Sequence, residues 1–198
     1  MEYADHLAWM MPPGPVRDGA GELHRCAERA LATTRELLTP GAARIPEPHV
    51  VDVNHLVLPA IQTLTRLMGE RVRLRLRFSE EPALVKAERR QIERIVLNLA
   101  LNARDAMAGE GVLTIATDVV HSPVPEVRLT VTDTGTGMTE DVRDRIFEPH
   151  FSTKKGNTGF GLSAVSLTVS QLRGSLAVES ELSRGTSVAV QLPLVGPY

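Results

Sequence analysis

Three stretches bring together amides, a carboxylate, glycines and lysines at spacings that suit binding. The first is an asparagine pair, Asn98 and Asn102, four residues apart. Around them Ile92, Ile95, Val96, Leu99, Ala103, Ala106 and Met107 recur at spacings of three and four. At about 100° per residue these apolar side chains form one stripe of a helix over 88–107, and both amides fall at its edge. An amide oxygen there could ligate Mg2+, which takes oxygen ligands and keeps waters beside phosphate oxygens. The plainer use of two such amides is at a helix boundary, bonded to water or a loop.

The second stretch is Asp133-Thr134-Gly135-Thr136-Gly137, directly after a strand pattern. An ionised carboxylate accepts hydrogen bonds and donates none. Asp133 can therefore accept from the exocyclic amino group of adenine and would reject guanine, which has an oxygen there. Gly135 and Gly137 would let backbone approach a flat ring closely. The simpler reading is an Asp-Gly turn. The third stretch handles anions: Ser152, Thr153, Lys154 and Lys155, then Gly156-Asn157-Thr158-Gly159-Phe160-Gly161 opening a helix. Free N–H groups and the helix dipole suit such a start to phosphate. Two commoner glycine motifs fail here. Gly156 and Gly161 have P-loop spacing, but Leu162 stands where that loop needs lysine. Gly159 to Ala164 resembles a dinucleotide fingerprint without the preceding strand it requires.

The elements that must position these residues follow from patterning. A helix is expected over 18–39, with Leu23, Ala27, Ala30, Thr34, Leu37 and Leu38 as its stripe, stopped by Pro40-Gly41. One amphipathic helix cannot bury its stripe alone, so it packs on its own domain or on a second copy. Residues 1–17 read as irregular, and 40–50 as a linker. Asp52 can cap a helix over 53–68, in which Pro59 predicts a kink or a late start. From Arg71 to Phe78 the chain alternates, with Val72, Leu74, Leu76 and Phe78 on a buried face and four arginines on a wet one. That arginine row is a solvated face or, more sharply, a docking surface for an acidic partner. Further strands are expected over 84–87, 112–120, 126–132, 175–181 and 186–192. Helices are expected over 139–147 and 160–172. Strands and helices mix without strict alternation, which favours a two-layer sandwich with helices on one sheet face.

Composition narrows the class. The 198 residues are 42% hydrophobic and 23% charged, enough for a sizeable core, and the net charge of −2 gives no bulk attraction to nucleic acid or anionic membrane. Cys26 is the single cysteine, which excludes an intrachain disulfide framework and fits a reducing compartment. No stretch approaches the roughly 20 apolar residues of a membrane span. The expectation is a cytoplasmic protein with no membrane segment in this chain.

In order along 51–194, the chain resembles the ATP-binding catalytic domain of bacterial sensor histidine kinases, within the GHKL ATPase superfamily. Gln91 to Ala106 resembles the N box, Asp133 to Met138 the G1 box, Ile146 to Lys154 the F box, and Thr158 to Ser163 the G2 box. Arg184-Gly185-Thr186 resembles the late glycine-threonine turn beside the adenine pocket. The resemblance implies an α+β fold, a two-layer α/β sandwich of the Bergerat type with a mixed sheet covered on one face by helices. It divides the chain into a tail (1–17), a remnant dimerisation helix and linker (18–50), and an ATP-binding domain (51–198). It implies that Asn102 ligates Mg2+ and Asn98 assists near the phosphates. Asp133 would read adenine with help from Thr186, beside Gly135 and Gly137. Residues 148–161 would form a lid, with Lys154, Lys155, Thr158, Gly159, Phe160, Gly161 and Leu162 around ATP. His150 stands where relatives usually have an aromatic, and Phe160 where they often have leucine. The implied activity is transfer of the γ-phosphoryl group of Mg-ATP to a histidine, in partnership with a response regulator or phosphoacceptor protein, as a homodimer through 18–39. His6 is followed by Leu7 and His24 by Arg25, so neither resembles the phosphoacceptor box, and the acceptor is expected from elsewhere. The rival is a nucleotide-gated binding module without kinase activity; a serine kinase of the anti-sigma type ranks third.

Overall fold

The computed structural model of the protein describes residues 48–152 and 160–196. Its elements are β1 (His49–Asp52), α1 (Val53–Met68), β2 (Val72–Arg77), β3 (Leu84–Ala87), α2 (Arg89–Ala106), β4 (Gly111–Val120), β5 (Glu126–Asp133), α3 (Glu140–Arg143), α4 (Gly161–Gln171), β6 (Ser175–Glu181) and β7 (Gly185–Pro193). The tail 1–17 and the helix expected over 18–39 lie outside the described residues, as do 153–159 of the expected lid.

Five strands make one mixed sheet in the order β2-β4-β5-β7-β6, with β2 parallel to β4 and the other neighbours antiparallel. Alternation decides which face is covered. On β5, Val127, Leu129, Val131 and Asp133 are buried while their neighbours are half-buried. Register carries that face across the sheet to Leu113 and Ile115 on β4 and to Val188, Val190 and Leu192 on β7. The α2 helix lies on this face, flanked by α1 and α4. Its Ile92, Ile95, Val96, Leu99, Ala100 and Ala103 are buried. Each large apolar side chain there contributes about 2 kcal/mol of burial, which fixes the helix firmly on the sheet. At its start Glu88 N–H donates to Gln91 Oε1 at 3.0 Å, half of a capping box. Leu97 also packs against the core, as expected of a helix covered on several sides.

Three local expectations are corrected, and of the two readings of Pro59, a kink or a late start, one falls. His49 and Val50, placed in a linker, belong to β1, which pairs antiparallel with β3 in a separate two-stranded sheet. That pairing spans more than thirty residues, so no local pattern announces it. Asp52 then caps α1, accepting from Asn54 N–H at 2.9 Å and from Ala83 N–H at 3.2 Å. The α1 helix begins at Val53, so Pro59 does not delay it. Leu76, expected on a buried face, is 39% exposed because β2 is an edge strand with one neighbour. The helix expected over 139–147 is regular only at Glu140–Arg143, followed by turns, although Ile146 is buried.

Candidate functional site

One row of the covered sheet face changes character as it crosses the strands. Leu74, Leu113, Asp133, Thr186 and Ser180 are successive register partners on β2, β4, β5, β7 and β6. The first two are apolar and the last three are polar. Asp133 is 6% exposed and Thr186 8% exposed, so a carboxyl and a hydroxyl face each other inside the protein. Burying a carboxylate requires hydrogen bonds, and Gly135 N–H donates one to Asp133 Oδ1 at 2.8 Å. Thr186 Oγ1 lies 2.9 Å from Ser180 Oγ, which also donates to the Gly185 carbonyl at 3.1 Å. A serine hydroxyl has one proton. With that proton on Gly185, Thr186 is the donor to Ser180 and keeps its lone pairs for other partners.

The glycines after Asp133, expected to admit a ring, also meet a second requirement. An added Cβ on Gly135 would sit 2.6 Å from the Ala106 carbonyl carbon and 2.7 Å from its oxygen. One on Gly137, at φ +64°, would collide with the Glu181 carbonyl. One on Gly185, at φ +103°, would collide with the Asp133 carbonyl. The close approach is to the protein's own backbone. Two hydrogen bonds close the same contacts, Thr136 N–H to Ala106 O at 3.1 Å and Ser183 N–H to Thr136 O at 2.8 Å. Thr134 Oγ1 accepts from Val112 N–H at 3.0 Å. The 133–137 loop is thus strapped to the last turn of α2, to β4 and to the β6–β7 turn.

That strap fixes how the two candidate ends of the site relate. Ala106, against which Gly135 packs, is four residues after Asn102, on the same helix face and about 6 Å further along the axis. Asn102 Nδ2 is buried and has no hydrogen-bond partner among the described residues. Buried amide donors without partners are rare and destabilising. Beside it stands the first residue of α4: a Cβ on Gly161 would lie 3.7 Å from Nδ2 and 3.9 Å from Oδ1. Asn98, one turn earlier, is half-buried. Phe160 is exposed, and its ring meets that of His150 edge-on at 4.5 Å; His150 has φ +66°. The Phe160 carbonyl accepts from Ala164 N–H at 2.9 Å and from Ser163 Oγ at 3.1 Å. Leu162 packs against the core. The structure therefore gathers Asp133, Gly135, Gly137 and Thr186 at one end, and Asn102 and Gly161 at the other, with Phe160 and Leu162 adjoining Gly161. Lys154, Lys155, Thr158 and Gly159 lie outside the described residues.

Ser180 and Thr134 brace the residues of this candidate site, and the sequence assigned no role to either. For Ser180 a signal existed, since the Ser183-Arg184-Gly185 turn sets a register that pairs it with Thr186. For Thr134 there was none, because its partner on β4 is distant in sequence.

Comparison with known proteins gives an independent reading. The family described as histidine kinase-, DNA gyrase B-, and HSP90-like ATPase matches residues 87–196. Sensor kinase CckA of Brucella abortus is 35% identical over 84% of this chain and 19% of its own length. Sensor histidine kinase ZraS of Klebsiella oxytoca is 32% identical over 89% of this chain and 39% of its own. The chain thus spans about a fifth to two-fifths of the length of these relatives. Among solved structures, a mycobacterial sensor histidine kinase, MprB, is 22% identical with a TM-score of 0.66, covering 74% of this chain and 97% of its own. The catalytic domain of histidine kinase ThkA is 24% identical with a TM-score of 0.64, covering 75% of this chain and 96% of its own. These two share the fold. Among the described residues, no helix is long and apolar enough to cross a membrane.

Proposed function

From the premise that this chain belongs to the histidine kinase-, DNA gyrase B-, and HSP90-like ATPase family and carries its ATP-binding domain, we propose that it performs the phosphoryl-transfer step of a sensor histidine kinase. The relatives with those names motivate the step. The observation that supports it most is one edge of α2: Ala106 packs against Gly135, whose N–H holds the buried Asp133 carboxyl, and one turn earlier the buried Asn102 Nδ2 has no partner among the described residues.

In this reading Asp133 accepts from the adenine amino group, and the lone pairs of Thr186, oriented by Ser180, complete the purine end. Gly135 and Gly137 hold that end by backbone packing. At the other end Asn102 meets the phosphates, Asn98 assists, and the start of α4 offers N–H groups at Gly161 and Leu162. Phe160 and His150 border that end, and Lys154, Lys155, Thr158 and Gly159 are assigned to ATP binding from their motif alone. Mg2+ fits here because a half-turn of the Asn102 amide exchanges its nitrogen and oxygen, presenting a hard oxygen where the unpartnered atom now sits. The ion would neutralise charge on the phosphates. The chain's own contribution is positioning, by which transfer to a histidine nitrogen gains most of its rate.

The acceptor histidine, the response regulator, a homodimer through residues 18–39 and a cytoplasmic location complete the proposal. So does the division into tail, helix with linker, and domain, with the domain taking in all of β1 from His49. Incubation of the chain with γ-labelled ATP, alone and with a histidine-bearing dimerisation hairpin from a relative, tests it. Acid-labile, base-stable label on a histidine is expected. Tight ATP binding with no label on any protein would favour the gated binding module instead.

A further inference from the structure

The face of the sheet away from the helices has one edge that nothing in the site explains. Residues 72–77 read Val-Arg-Leu-Arg-Leu-Arg, and β2 is the terminal strand of the sheet. Arg73, Arg75 and Arg77 lie on the open face beside Val112, Thr114 and Ala116 of β4. Arg71 continues the row. All four arginines are exposed. The two ends of the row are partly neutralised: Arg71 lies 3.8 Å from Glu110 and Arg77 3.3 Å from Asp118. The middle pair, Arg73 and Arg75, makes no ion pair or hydrogen bond among the described residues. At about 3.3 Å per residue their Cα atoms stand roughly 6.6 Å apart, the repeat of any strand laid alongside.

The other side of the same strand is apolar. Leu74 and Phe78 are partly buried against the core, and Leu76 is 39% exposed. The outer backbone edge of β2 has no strand paired to it among the described residues. Such an edge offers N–H and C=O groups to an added strand, and side chains at alternate positions decide which strand fits. Arginine against glutamate is the favourable cross-strand pair, and arginine against lysine the unfavourable one. A nucleic acid is a poorer match, because Arg73 and Arg75 are flanked on β4 by the half-buried Val112 and Thr114 and by no aromatic ring for a base to stack on. A membrane surface is poorer too, since that face carries no long apolar or aromatic side chain to enter it.

We infer that β2 is a docking edge for an extended acidic segment of a partner protein. That segment alternates carboxylate and apolar side chains and adds as a sixth strand, with carboxylates over Arg73 and Arg75 and an apolar residue over Leu76.

The test uses the full chain and a fluorescein-labelled peptide of alternating glutamate and valine, read by fluorescence anisotropy. Binding is expected, weakening steeply between about 50 and 500 mM salt because the pairs are exposed. A peptide alternating lysine and valine should not bind. A peptide of the same composition with its glutamates in one block should bind at least tenfold more weakly. The double variant Arg73→Glu with Arg75→Glu should lose at least tenfold in affinity for the alternating peptide, whereas Arg73→Lys with Arg75→Lys should retain most of it. Unchanged binding of a fluorescent ATP analogue shows that each variant is folded. Equal binding by the charge-reversed variant, equal binding of the block peptide, or no binding by a folded chain at millimolar peptide would each overturn the inference. So would a single-stranded oligonucleotide that binds with higher affinity and is lost with the same reversal. Self-association in sedimentation velocity abolished by that reversal would assign the edge to a second copy instead, and also overturn it.

Discussion

The two ends of the candidate site are built on opposite principles. At the Asp133 end the protein satisfies itself: three glycines sit against backbone carbonyls, and the carboxylate, hydroxyls and loop N–H groups have partners within the chain. At the Asn102 end a buried amide nitrogen has no partner among the described residues, and Phe160 lies exposed beside it. A pocket that must discriminate one flat ring by hydrogen-bond pattern gains from being fixed in advance, because ordering it on binding would subtract from affinity. A phosphate end can leave polar groups to be completed by the ligand. The difference teaches that, in the proposed reading, adenine selectivity rests on the sheet strands at Asp133 and Thr186 and metal dependence on the α2 amide, so that each should be removable alone.

The largest effect should come from the end that is closed. Gly137→Ala places a Cβ against the Glu181 carbonyl at a left-handed φ that alanine disfavours by about 1–2 kcal/mol even without a clash. With the clash, the loss should reach about 3 kcal/mol, which lowers Tm by roughly 6–12 °C for a chain of this size. Calorimetric melting that matches the unaltered protein would show that the loop is not strapped as described.

A smaller and more selective effect should follow at the open end. Asn102→Ala removes a buried polar atom that has no partner, so the fold should lose little or even gain. ATP affinity should fall about tenfold in the presence of Mg2+, the size of one lost charge-assisted contact, and stay within about twofold in EDTA. If Mg2+ strengthens binding to the variant as much as to the unaltered chain, the amide has no part in holding the metal.

The same contrast explains how much the amino-acid sequence disclosed. The α2 helix, its asparagine edge and the Asp-Thr-Gly-Thr-Gly stretch were legible because they rest on local spacing: apolar residues at three and four, and an alternating strand ending in a carboxylate. What Gly135 and Gly137 are for was not legible, since the atoms they avoid belong to Ala106 and Glu181, brought there by folding. Pairing of His49–Asp52 with Leu84–Ala87 was hidden for the same reason, and Leu76 showed a buried pattern that an edge strand does not honour. Local order can be read from period; close approach between distant backbones cannot.

The central claim is that Asp133 makes this end of the site an adenine pocket whether or not a metal is present. Isothermal titration calorimetry in EDTA, with ATP and with GTP, on the unaltered chain and on Asp133→Ala, tests it most directly. The account predicts that the unaltered chain binds ATP at least a hundredfold tighter than GTP, about 2.7 kcal/mol, and that the variant loses this preference together with most of its ATP affinity. Equal affinity for the two nucleotides in the unaltered chain, or an ATP preference that survives in the variant, would contradict it.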